Sequence, residues 1–193
     1  MPHETPPDSG RHIVETPWLR WALLVGGWML FAIFMTVEGT LQAMRSNSPL
    51  TWTTVLTSEL TYAAVWLVLT PGVLWVAWKV PFHAKRWGRA ALLHGGATFA
   101  FAILHRFLFS LVTEFALAGP DHPFRWAIVL SSLTRFLDYG IMIYWILVLS
   151  RHAITYYRGM QEQALVKSQL EAQLTTAQLL ALKSQLQPHF LFN

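Results

Sequence analysis

The chain predicts an all-α membrane protein: four transmembrane helices, then a long cytoplasmic helix suited to coiled-coil dimerisation. Three observations carry that expectation. Charged residues make up only 12% of the 193 positions and hydrophobic residues 54%, whereas a soluble domain carries about 25% charge. Four apolar runs each reach the length of about 20 residues that an α-helix needs to cross the hydrocarbon core. A tract rich in Gln, Leu, Ala, Glu and Lys then follows, with apolar residues at helical spacing.

Residues 1–17, with Pro2, Pro6 and Pro7 and no apolar period, read as a disordered cytoplasmic leader. They lack a cleavage site of small residues, so they are not a signal peptide. Residues 18–150 read as one membrane domain with spans at about 18–37, 56–78, 90–117 and 126–149. Gly26-Gly27 predicts close approach of a neighbour in the first span. Pro71-Gly72 predicts a kink late in the second. Tryptophans at 18, 52, 75, 78, 87 and 126 sit near the proposed ends, as an interfacial belt does.

Loop charges orient the bundle. Lys79, Lys85, Arg86 and Arg89 join the second and third spans without an acid, and Arg151 and Arg158 follow the fourth. The first loop offers one base, Arg45, and residues 118–125 set Asp121 against Arg125. Positive charge favours the inside, so the 79–89 loop and both termini are expected in the cytoplasm. The net charge of +4 thus reports topology and not nucleic-acid binding. The absence of cysteine excludes disulfides, thiolate metal sites and cysteine nucleophiles.

Residues 151–193 differ from everything before them. Val166, Leu170, Ala177 and Leu180 form one apolar row, and Leu170, Leu174, Ala177 and Ala181 a second. Such rows mark a helix with an apolar seam, as in a parallel homodimer; docking of a single amphipathic helix on another domain remains the alternative.

Ionisable groups at membrane depth are costly and therefore single themselves out. His105, Arg106 and Glu114 fall in the third span, Arg135 and Asp138 in the fourth, and Glu59 opens the second. If the third and fourth spans are antiparallel neighbours, Arg106 meets Asp138. The set reads either as a polar sensing chamber or as paired charges that fix helix register. His94, near the inner boundary, reads as a headgroup contact. No tight spacing of histidines or carboxylates calls for a metal, and neither a zincin motif nor a phosphate loop appears.

At the end stands Gln185-Leu186-Gln187-Pro188-His189-Phe190-Leu191-Phe192-Asn193. Proline ends or kinks a helix, which would set the His189 imidazole on an irregular surface, where a neutral ring nitrogen can attack phosphorus. This run resembles the phosphoacceptor box of LytS/YehU-type sensor histidine kinases, Gln-x-x-Pro-His-Phe-Leu-Phe-Asn, position for position over about a dozen residues. The resemblance implies a two-component kinase of a bacterial inner membrane. His189 would take the γ-phosphoryl group of ATP and pass it to an aspartate of a cytoplasmic response regulator. Gln185, Pro188, Phe190 and Asn193 would support the box. It further implies a Mg²⁺-dependent ATP-binding domain after the box, so the chain reads as a fragment that lacks that domain and holds no cofactor itself. Phe190 stands where some histidine kinases carry an acid, so no general base is named. The rival readings are a small four-helix carrier using Glu59, Glu114 or Asp138, and a non-enzymatic membrane receptor or scaffold.

Overall fold

The computed structural model describes residues 17–82, 87–118, 122–133 and 137–186. Among them there are helices and no strands: α1 Pro17–Arg45, α2 Trp52–Lys79, α3 Trp87–Leu117, α4 Trp126–Ser132 and α5 Leu137–Leu186. Three helices are long and apolar enough to cross a membrane, or up to four if α4 and α5 together make one broken span. The chain is therefore a multi-pass membrane protein. It divides into two units, Met1–Val148 and Leu149–Asn193.

The first unit is built on the hairpin of α1 and α2. Asn47, at φ 50°, takes the left-handed conformation that asparagine tolerates. With it there, Ser48 N–H donates to the Ala43 carbonyl at 2.9 Å and Asn47 N–H to Met44 at 3.4 Å. This is the Schellman closure of a helix C-terminus. Thr51 then caps α2, its hydroxyl accepting from Thr54 N–H at 3.3 Å. Below the turn, Trp28 of α1 stacks on Trp66 of α2 at 6.2 Å and 5°. The Trp28 indole N–H donates to the Thr70 hydroxyl at 3.1 Å.

Two sequence expectations are corrected. The fourth span is not one helix over 126–149: α4 stops at Ser132, and α5 starts at Leu137. The hydroxyls of Ser131 and Ser132 bond back to the Ile128 and Val129 carbonyls at 3.0 and 2.7 Å. Leu133 N–H closes on the Leu130 carbonyl at 3.2 Å, so the last turn of α4 tightens to an i−3 bond. Helix α2 carries Pro71 within it and runs on to Lys79. Secondly, a Cβ on Gly26 or Gly27 would meet nothing within 4 Å, so no helix among the described residues approaches there. Close approach belongs to other glycines. A Cβ on Gly140 would lie 2.9 Å from the Ala102 Cβ and 3.2 Å from its Cα, so α5 crosses α3 at this residue.

In the second unit every described side chain from Met160 to Ser184 is exposed, Leu170, Leu174 and Leu180 among them. An exposed ion pair, Lys167 to Glu171 at 3.8 Å, decorates this helix.

Candidate functional site

Along α3, burial selects Ala90, His94, Thr98, Ala102, Arg106, Ser110 and Glu114, every fourth residue, together with His105. The other faces of the helix expose Leu92, Phe99, Ile103, Leu104, Val112 and Phe115. A soluble helix hides its apolar stripe; this one exposes it to lipid and hides its polar residues. Residues four apart form a ridge inclined to the helix axis. The polar row therefore winds around α3 and meets a different partner at each level.

At the first level His94 is fully buried. Its Nε2 lies 2.9 Å from the Val80 carbonyl and its Nδ1 2.8 Å from the Tyr144 hydroxyl. A carbonyl only accepts, so Nε2 carries the proton, and in the neutral ring Nδ1 accepts the Tyr144 O–H. The bond to Val80 satisfies a carbonyl left over at the end of α2, and Phe82 stacks on the ring at 5.0 Å. The headgroup role expected for His94 is thereby corrected. Position along the membrane normal suggested lipid, but position around the helix turns the ring inward.

At the middle level His105, also fully buried, donates from Nε2 to the Tyr62 carbonyl at 3.2 Å. Its ring stacks on Trp66 at 4.7 Å and Phe109 at 6.2 Å, and meets the edge of Tyr62 at 4.3 Å. The stack Trp28, Trp66, His105, Phe109 thus crosses α1, α2 and α3 with neighbouring rings within 17° of parallel. The Arg106 guanidinium lies over Phe109 at 5.2 Å. The charges of Arg106, Glu59 and Asp138 all reach the Tyr62 phenol. Three helices, α2, α3 and α5, therefore bring these three sequence-flagged groups, with His105, around one tyrosine that sequence reasoning had not singled out.

At the last level the Ser110 and Ser132 hydroxyls bond each other. Since Ser132 spends its proton on the Val129 carbonyl, Ser110 is the donor between them. Glu114 is buried and accepts from the Arg125 backbone N–H at 3.1 Å, with the Arg125 Nε 3.9 Å from the same oxygen. Of the two roles the sequence left open for Glu114, sensing or pairing, this geometry is that of a pair, holding the entry of α4 against α3.

Sequence reasoning flagged the ionisable members and missed Tyr62, Thr98, Ser110, Ser132 and Tyr144, and it counted Arg125 only as loop charge. The signal that finds the α3 members is the recurrence of polar residues at intervals of four between His94 and Glu114. Arg135, Pro188, His189, Phe190 and Asn193 lie outside the described residues, as does the side chain of Gln185. No group of three metal-ligating side chains occurs among the described residues. Comparison with known proteins finds no protein family, no characterised protein and no solved structure that matches the chain.

Proposed function

We propose that the chain is the membrane-sensing and dimerisation portion of a two-component sensor histidine kinase, lying in a bacterial inner membrane with both termini in the cytoplasm. The observation that supports this reading is the box Gln185–Asn193, where Pro188 and His189 stand in fixed register with Phe190 and Asn193. In this reading a His189 ring nitrogen attacks the γ-phosphorus of ATP bound to a catalytic domain, and ADP leaves. The phosphoryl group then passes to an aspartate of the response regulator. The exposed leucines of the second unit pair with those of a second copy, which brings two such boxes together. The polar row of α3 is the element that a stimulus would rearrange, because its bonds tie α3 to α2, α4 and α5.

The carrier reading draws on the same polar groups but fits them less well. Glu114 already holds Arg125, and transport gives no role to the second unit.

The kinase reading is tested with labelled ATP and a protein extended through the ATP-binding domain that follows the box in this family. An acid-labile, base-stable phosphoprotein is expected, as a phosphoramidate requires. His189→Gln is expected to abolish the label while membrane insertion persists. Label that survives this substitution contradicts the assignment.

A further inference from the structure

Under the α1–α2 turn, α1 and α2 flank a half-open cavity of about 490 Å³. That size falls in the range of small-molecule sites, about 300–1,000 Å³. Gly39, Gln42 and Ser46 line it from α1, and Thr54, Ser58 and Glu59 from α2. At its base Gly39 lets α2 come close: a Cβ there would lie 2.9 Å from the Val55 Cγ1. Ala43, Leu50 and Val55 complete the lining, and its polar side chains are mostly short, so space remains between the helices.

The polar groups of this cavity include several acceptors: the serine and threonine hydroxyls, the Gln42 amide oxygen and the Glu59 carboxylate. The Ser46 hydroxyl already donates to the Gln42 and Ala43 carbonyls at 3.0 and 3.2 Å, which leaves its lone pairs. The Ser48 hydroxyl, also in the lining, accepts from Leu50 N–H at 3.4 Å. Glu59 is half-buried and makes no hydrogen bond or ion pair among the described residues. A cavity that sets hydroxyl acceptors beside a carboxylate with no ion pair among the described residues fits a ligand that is cationic and carries N–H donors. A hydrated dication would find a single carboxylate in the lining, and an anion would find repulsion.

We infer that this cavity binds a primary ammonium group, carried by a small free amine or by a lipid headgroup, with Glu59 as counter-charge and the serine and threonine hydroxyls as hydrogen-bond acceptors. The Glu59 charge also reaches Tyr62, whose carbonyl holds His105. Occupancy therefore changes the field at the middle level of the α3 row. As the stimulus site of a kinase the cavity rests on the reading above; as a binding site it does not.

The test is calorimetric titration of putrescine into the purified chain in phosphatidylcholine nanodiscs, with empty discs as blank and no ATP present. Because nothing is phosphorylated, the titration and the labelling assay fail independently. Saturable binding is expected. It should weaken tenfold or more in Glu59→Gln and vanish in Ser58→Leu, which fills the space without touching a charge. Uncharged 1,4-butanediol is expected not to displace putrescine. Repeating the titration in discs with phosphatidylethanolamine separates the two sources. Weaker putrescine binding there identifies the headgroup as occupant, and unchanged binding identifies the free amine. Absent binding in phosphatidylcholine discs, equal affinity in Glu59→Gln, or displacement by butanediol or by equimolar magnesium would overturn the proposal.

Discussion

The two units of the chain solve opposite solvent problems with similar amino acids. In the first, Leu92, Phe99 and Leu104 face outward while His94, His105 and Glu114 are buried. In the second, Leu170, Leu174 and Leu180 are equally exposed, but the helix around them is polar and nothing among the described residues covers them. The difference teaches that an exposed leucine means one thing beside lipid and another beside water. Beside lipid it is solvated, and tertiary packing falls to small residues and buried hydrogen bonds. Beside water it costs about 25 cal/mol per Å² until a partner covers it.

The largest effect is expected where packing in the first unit has no slack. Gly140→Val would drive a branched side chain into the Ala102 backbone. It should cost about 3 kcal/mol in a denaturation titration in detergent, whereas Gly26→Ala, in open space, should cost nothing. If both behave alike, the crossing of α5 on α3 does not govern the fold.

Buried hydrogen bonds come next. Tyr144→Phe removes the donor to His94 Nδ1 and leaves a buried acceptor without a partner, a loss of about 1–3 kcal/mol. His94→Leu in that background should recover part of it, because removing both partners is milder than orphaning one. Ser110→Ala, which deletes the bond to Ser132, should cost about 1 kcal/mol, read in the same titration. The smallest effect belongs to the second unit: Lys167→Ala breaks an exposed pair and should leave the unfolding midpoint unchanged, since such pairs contribute little.

The helical class and most of the membrane spans were legible in the letters, because a run of about 20 apolar residues has few other uses. The break after Ser132 was not. No proline or glycine announces it, and α4 ends on a tightened turn in which Leu133 N–H bonds the Leu130 carbonyl. The ionisable groups of the site were visible one by one, and even their four-residue recurrence stands in the sequence. Their partners were not visible: Tyr144 lies fifty residues from His94, and Tyr62 forty-three from His105. Such pairings exist only once the helices have packed. Arg125 was read for its charge, yet its backbone N–H is what Glu114 holds at the shorter distance.

The contrast between the two units is tested most directly by disulfide cross-linking in native membranes. The chain has no cysteine of its own, so single substitutions are clean reporters. Cysteine at Leu170 or Ala177, one heptad apart, should cross-link two copies efficiently, while cysteine at the neighbouring Glu171 should do so poorly. Equal cross-linking at all three positions, or none at Leu170 and Ala177, would contradict an apolar seam between copies.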